Sequence, residues 1–522
     1  MSWEEQVIEL KIRQAFAKKM GGEKSIARQH AKGRLTIRER IALLLDSDSF
    51  HEIGSIAGLA EYDNDGNITS LTHSARIMGK GKINNRTVSI EGWDFTIRGA
   101  GFGGPGGSLA GPGGFSPIKM AMEKKIPFIR LLDSAGGSIL MMEKKGYSSL
   151  PVNPTIWLDR AKVMAYVPVI SAALGSLAGA PPVYAAFSHF SVMTKTSELF
   201  AAGPPLIKRA FSMDITKEEL GNYKIHVFKS GVIDNLAVDE KDAFEQIKTF
   251  LGYLPQNVWE QPPCINTFDT PERRDEELIS IIPKDRKKTY EIRKLIGHIV
   301  DKNSMFEIAP FYGSSLVTIL ARIDGFPVAI ISNDCKQLGG AQTAAGCEKM
   351  TRFVDFADTF HIPIIYFIDN PGFMIGPQSE TEGIERKVAR LGAALAQITV
   401  PALAIIIRRC YGVAGAFHTL LSQMNLRYAW PSAEWGVLPI EGGVMAAYRR
   451  EIENSLDPKA KLDEIESRFN KLRSIFRSAE GFDIEEIIDP RDTRPLLCEF
   501  VNEAQYITKT QLGPKYRLGM RP

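Results

Sequence analysis

Four short runs of small residues carry the chemistry that this chain can offer. They are Asp133-Ser134-Ala135-Gly136-Gly137 and Ser176-Leu177-Ala178-Gly179-Ala180 in the first half, then Asp369-Asn370-Pro371-Gly372-Phe373 and Tyr411-Gly412-Val413-Ala414-Gly415-Ala416 in the second. Each reads as a turn at the end of an apolar strand. Successive backbone N–H groups at such turns, often opening a helix, can hydrogen-bond an oxyanion. One such donor is worth about 3 kcal/mol of transition-state stabilisation in other enzymes. No strong general acid or base is then required if the substrate itself carries a leaving carboxylate. The layout occurs twice: Ile126-Pro127 and Ile362-Pro363 lie 236 positions apart, as do Ala178-Gly179-Ala180 and Ala414-Gly415-Ala416, and Glu198 and Glu434. A duplicated unit of this kind implies two similar binding halves for one reaction.

Other chemistries find less support. G-x-G-x-x-G occurs at Gly99/Gly101/Gly104 and again at Gly101/Gly103/Gly106, but Pro105, Pro112 and further glycines deny it the following helix that a dinucleotide site needs. The Gly92–Phe115 loop instead lets backbone approach a ligand closely, because glycine has no Cβ. Gly106 and Gly107 in that loop, with Tyr411 and Gly412, are the candidate cofactor contacts. No GxxxxGK[ST] sequence exists, and neither Ser134 nor Ser176 sits in G-x-S-x-G. Cys335, Cys347 and His361 lack zinc-ligand spacing. His189 and His418 follow the small-residue turns, where a structural role competes with a catalytic one.

The elements that must position these turns alternate. Apolar runs such as PFIRLLD, VPVISAAL, PIIYFID and PALAIII are separated by amphipathic stretches such as LDRAKVMAY and GCEKMTRFVDFADTF. This pattern predicts βαβ units with strands covered on both faces. Charged helices precede them, over residues 1 to about 45. Within that segment ARQHAKGRLTIRER is strongly basic, and reads either as a solvated helix face or as a rim meeting an anionic cofactor tail. The Pro- and charge-rich stretch Leu254–Glu277 divides the repeats, so domains are expected at 1–258 and 259–522. Asp457–Ser478 reads as a charged helical arm.

A chain of 522 residues is too long for one compact core. With 64 basic against 61 acidic residues, charge gives nucleic-acid binding no support. Five scattered cysteines without CxxC pairs suit a reduced cytosol. The charged N-terminus is unlike a signal peptide, and no apolar run approaches the ~20 residues that span a bilayer. A soluble, cytoplasmic protein without direct membrane insertion is expected.

In its ordered motifs the sequence resembles the carboxyltransferase subunits of biotin-dependent acyl-CoA carboxylases. The likeness runs from about Lys32 to Arg494 and is carried by GRLTIRERIALLLD, GGAQT (Gly339–Thr343), KMTRFVDFADTFHIP, DNPGFMIG (Asp369–Gly376), RRCYGVAGA, YAWPSAE (Tyr428–Glu434) and IIDPRDTRP (Ile487–Pro495). The resemblance implies an α/β fold of two tandem crotonase-like (ββα-spiral) domains behind a helical N-terminal segment. The first domain would take the acyl-CoA and the second carboxybiotin. By motif position Gly136, Gly137, Gly179 and Ala180 would serve the thioester enolate, and Gly372, Phe373, Gly415 and Ala416 the biotin side. Ser134, Ala135, Phe417 and His418 would contact substrate. The chain departs from the family at Ser134–Ser138, where SAGGS replaces SGGAR, and at Phe417-His418, where an aromatic and an acidic residue are common.

The activity implied is CO2 transfer between carboxybiotin on a separate carrier and the α or vinylogous carbon of an acyl-CoA, with no metal in this chain. Biotin carboxylase and biotin carrier subunits are the implied partners, and a homo-hexamer (a trimer of dimers) the implied assembly. Two alternatives stay open: a carboxyacyl-CoA decarboxylase subunit running the reaction backward, as in a sodium-pumping complex, and a non-catalytic scaffold.

Overall fold

A computed structural model describes residues 2–101, 115–137, 139, 142–143, 146–148, 154–419 and 426–515. It divides the chain into two compact units, Met1–Glu260 and Gln261–Pro522. Gly106 and Gly107 lie outside the described residues.

The first unit opens with helices Glu4–Lys18, Glu23–His30 and Ile37–Leu44. Thr36 and Glu39 form a reciprocal capping box that starts the third, which satisfies two otherwise orphaned backbone donors. The strands are β1 (His51–Ile53), β2 (Gly58–Tyr62), β3 (Ile68–His73), β4 (Arg76–Ile83), β5 (Arg86–Trp93), β6 (Phe128–Ser134), β7 (Val169–Ala178), β8 (Phe190–Thr194), β9 (Glu198–Phe200) and β10 (Asn235–Ala237). Their sheet runs β1-β4-β5-β6-β7-β8-β10, with β9 added to β7 and β2-β3 apart as a hairpin. Every residue of β6 is buried, as expected of a parallel strand covered on both faces.

The second unit repeats this plan with β11 (Phe306–Glu307), β12 (Leu316–Ile323), β13 (Phe326–Asn333), β14 (Ile364–Asn370), β15 (Ala402–Tyr411), β16 (Leu426–Ala429), β17 (Glu434–Gly436) and β18 (Glu486–Ile487). Its sheet order is β11-β12-β13-β14-β15-β16-β18, with β17 on β15. Ile365, Phe367, Leu403, Ile405 and Ile407 pack with Leu295 and Ile299 of helix Ile292–Ile299 and with Leu497 and Val501 of helix Thr493–Lys509. Each fully buried side chain of this kind contributes about 2 kcal/mol.

The duplication extends to backbone detail. Lys125 and His361 are both left-handed, with φ of 54° and 60°. Each ends the helix ahead of an Ile-Pro pair, and proline cannot continue a helix. In both units the two central strands pair from their first residues, Phe128↔Val169 and Ile364↔Ala402, and skip register near their ends. The skip falls between Leu132 and Ser134 in one unit and between Ile368 and Asn370 in the other.

Candidate functional site

In the first unit the end of β6 folds back on the end of β7. Ser134 Oγ donates to Ala100 O at 2.8 Å and accepts from Gly136 N–H at 3.2 Å. Ala135 N–H donates to Gly99 O at 2.8 Å. Gly136 has φ of 80°, and a Cβ there would stand 2.3 Å from Ala178 O. Only glycine fits, and its fit seats the two small-residue turns against each other. Gly137 follows on the surface.

Helix Ala180–Ala186 opens at once after Gly179, whose φ is 74°. Gly179 N–H is taken by Phe200 O at 3.2 Å. Residues of the first helical turn have no intrahelical acceptor for their N–H groups, and Pro181 and Pro182 have no N–H to offer. Ala180 is therefore the one first-turn donor left at this position.

The second unit builds the same corner from different side chains. Asn370 Oδ1 accepts from Gly372 N–H at 2.9 Å, where the first unit uses a serine hydroxyl. Gln342 pairs with Phe373 as an isolated parallel bridge. Gln342 N–H donates to Gly372 O at 3.0 Å, and Gln342 O accepts from Met374 N–H at 2.9 Å. Both ladder bonds thus come from the neighbours of Phe373, whose own N–H points to the opposite side.

The register locates the second helix-opening turn. Glu198 pairs with Ser176, and Glu434 with Arg409. Strand ends 233 positions apart are therefore equivalent: Gly179 corresponds to Gly412 and Ala180 to Val413. The Ala-Gly-Ala match at 236 is coincidental in backbone terms. Gly412 has φ of 61°, like Gly179, and begins helix Gly412–His418. Val413 is exposed. Gly415 is buried, and a Cβ on it would meet Cys410 at 2.9 Å. Ala416 N–H falls within the body of the helix, beyond its first four N–H groups. Ala416 and Val413 line a cavity of about 640 Å³ with Cys410, Trp435, Val437 and Leu438. Tyr411 is buried, and Phe417 packs on Gly392, where a Cβ would meet its ring at 2.8 Å.

His418 stands behind the turn, fully buried. Burial pushes its imidazole down to about 4. Its Nδ1 lies 2.9 Å from Ala414 O and 3.3 Å from Asn370 Nδ2. A neutral ring uses Nδ1 for one of these contacts only, either donating to Ala414 O or accepting from Asn370 Nδ2.

Beneath each corner lies a buried aspartate that sequence reasoning passed over. Asp133 accepts from Arg40 at 3.1 Å and from Gln29 at 3.0 Å. Arg40 also binds Glu240 through Nε and Nη2, at 2.8 and 2.7 Å. Asp369 accepts from Arg408 at 3.0 and 2.7 Å, from Arg409 at 2.7 Å and from Tyr290 Oη at 2.9 Å. Burial alone would raise the Asp369 carboxyl, but Arg409 and Arg408 hold it below the ordinary range. The available signal was the recurrence of Asp133 and Asp369 at the 236 spacing.

The basic N-terminal segment forms one wall of a cleft of about 780 Å³. Lys19, Arg28, Lys32 and Arg98 line it, with Phe16 and Phe95, and no carboxylate does. The cleft reaches Gly99, whose carbonyl holds Ala135 of the first corner. From that segment Arg28, Gln29 and Lys32 line the cleft, whereas Arg34, Arg38 and Arg40 pair with Glu198, Glu52 and Asp133. Among the described residues no helix is long and apolar enough to cross a membrane, and no cluster of His, Cys, Asp and Glu could hold a metal ion.

Comparison with known proteins agrees with this geometry. The carboxyl transferase domain family matches residues 28–515. The carboxyltransferase subunit of propionyl-CoA carboxylase from Haloferax mediterranei is 34% identical over 521 residues, covering 99% of both chains. Methylmalonyl-CoA decarboxylase subunit alpha of Veillonella parvula is 32% identical over 488 residues, covering 92% of both. The crystal structure of transcarboxylase 12S, with methylmalonyl-coenzyme A and methylmalonic acid bound, superposes with a TM-score of 0.87 at 30% identity, over 100% of this chain and 99% of that one. The two units are the tandem crotonase-like domains anticipated from the sequence, and the chain belongs to the carboxyl transferase family.

Proposed function

We propose that this chain is the carboxyltransferase subunit of a biotin-dependent acyl-CoA carboxylase, moving CO2 between carboxybiotin on a partner carrier and the α or vinylogous carbon of an acyl-CoA. The observation that carries the reading is the repeated corner, one per unit, with the same strand register and a helix-opening glycine at Gly179 and Gly412. Two corners suit a reaction with two anions.

The first unit takes the acyl-CoA. Lys19, Arg28, Lys32 and Arg98 attract the phosphates of the coenzyme, and their cleft leads to Gly99. The thioester oxygen accepts from Ala180 and Gly137 N–H. As the α-proton leaves, negative charge grows on that oxygen, and fixed donors are worth most there. Gly136 and Gly179 shape the turn, and Ser134 and Ala135 brace it. On the second side Phe373 and Val413 N–H face the ureido oxygen, while Gly372, Gly412, Gly415 and Ala416 shape the turn and line its cavity beside Tyr411. Carboxybiotin supplies the CO2 and, once decarboxylated, the base. The cavity of about 640 Å³ beside Val413, largely apolar but with Arg427 and Asp483 in its wall, has room for a small bicyclic ring.

Biotin carboxylase and carrier subunits complete the enzyme, and the chain assembles as a hexamer, the assembly that transcarboxylase 12S forms. Five unpaired thiols support placement in the reducing cytoplasm. The Veillonella relative, a decarboxylase subunit, supports the reverse direction as a second reading. The test is turnover: purified chain mixed with free biotin and carboxyacyl-CoAs of several sizes should catalyse decarboxylation or transfer. No turnover with any of them, together with no CoA binding by calorimetry, would overturn the proposal.

A further inference from the structure

We propose that Arg130, flanked by Arg76 and Arg160, forms a buried site in the first unit for a carboxylate carried by a ligand. Arg130 sits in the middle of β6, directly opposite Glu91 of β5 in the register. It is 1% exposed. Its Nη2 donates to Phe187 O, and its Nε and Nη1 find no acceptor among the described residues. Arg160 lies over the Tyr184 ring at 3.7 Å, and Arg76 donates to Glu91 Oε1.

Three guanidinium groups thus surround one fully buried carboxylate, Glu91, with the half-buried Asp159 next to Arg160 as the other acid acting on the group. Burial and the neighbouring Arg160 push Arg130 down to about 9. No residue outside the described set is Asp or Glu, so the chain itself holds no further acidic side chain for those positions. Glu91 Oε2 also lacks a donor, so a single carboxylate is shared among three cations, and an unbalanced buried charge costs several kcal/mol. A two-point edge of a guanidinium pairs Nη2 with Nε or with Nη1, and Nη2 spends one of its two hydrogens on Phe187 O, so one edge of Arg130 is left to take a carboxylate.

The site is not part of the duplicated device. Tyr366 stands at the matching position of β14, so the ligand concerns the first unit alone. Arg130 shares its face of β6 with Leu132 and Ser134. It lies about 13 Å along the strand from Ser134 and the proposed thioester corner, at roughly 3.3 Å per residue. A carboxylate ending an acyl chain of that reach would meet Arg130, and so would a small free carboxylate. The first source rests on the acyl-CoA reading above, and the second does not.

Thermal unfolding of the full chain separates the sources. One arm titrates propionate against chloride at fixed ionic strength, and the other compares suberyl-CoA with octanoyl-CoA. We expect saturable stabilisation by the carboxylate member of at least one pair, with apparent affinity at least tenfold weaker in Arg130→Met. Glu91→Gln should tighten the same ligand several-fold, since it removes the competing acid. If Arg130→Met does not fold, Glu91→Gln carries the comparison, and unchanged or weaker affinity there overturns the site. Equal responses to both members of each pair, or to wild type and Arg130→Met, also overturn it. Octanoyl-CoA binding that survives in Arg130→Met would leave the acyl-CoA reading standing while the carboxylate site fails.

Discussion

Arg409 donates to Asp369 through Nε and to the carbonyl of Gly339 through Nη2, both at 2.7 Å. One guanidinium therefore joins the end of β14, the end of β15 and the Gly339 turn, the three segments that frame the second corner. Arg408, its chain neighbour, takes the other oxygen of Asp369 and reaches Lys288 O at 2.9 Å. These charges fix the segments that carry the second turn.

Arg409→Met should lower kcat for CO2 transfer by at least tenfold, and Arg409→Lys should recover part of it. Asp369→Asn should be worse for stability, by about 3–5 kcal/mol, because two guanidinium groups lose their carboxylate. Steady-state kinetics and denaturant unfolding of the four proteins check both statements.

Val413→Pro and Ala414→Pro make a discriminating pair. Proline is tolerated in a first helical turn, and Pro181 already stands where the register places Ala414. Ala414→Pro should leave most activity, whereas Val413→Pro removes the proposed donor and should cost about 10²–10³ in kcat. The measurement is kcat for each variant, with circular dichroism to show the fold intact. Equal losses in both would remove Val413 from the role.

Gly136→Ala should abolish activity and destabilise the protein, since its Cβ would overlap Ala178 O. Gly179→Ala meets nothing within 4 Å, so its cost is the backbone strain of φ 74° and ψ −118°, about 1–3 kcal/mol. Unfolding midpoints of the two variants should differ accordingly.

His418 gives the protein an acid-sensitive component. Its folded-state value, about 4, lies below the ordinary 6.5 because burial disfavours the cation. The unfolded chain therefore takes up the proton first, and stability falls as pH drops from about 6.5 to about 4. The full loss is about 3 kcal/mol. His418→Gln, which does not titrate, should show a flatter stability profile across that window by urea unfolding.

Much of the plan was legible because apolar runs and Gly-rich turns are local signals. The strands around Phe128 and Ile364, and the repeat that relates them, follow from the order and spacing of residues. The proposed donor at Val413 was not legible, because equivalence there is set by strand pairing and not by residue identity. Ala-Gly-Ala at 414–416 matched in letters and misaligned in space. Arg40 was hidden for a different reason: its partners Asp133 and Glu240 are distant in sequence, and a charged helix near a terminus looks solvated until its contacts are known. The resemblance puts His418 at a substrate-contact position, whereas its ring is fully buried.

The helices before residue 45 do more than precede the first unit. Gln29 and Arg40 supply the donors to a carboxylate with no solvent exposure, Asp133. Asp369, by contrast, is held by Tyr290, Arg408 and Arg409 from within the second unit. Any attempt to cut this chain into separately produced halves meets an asymmetry. A fragment beginning after Leu45 would leave an unbalanced acid under its own corner, so the first half has to be made with its leading helices, whereas the second carries its counter-ions inside its own boundaries.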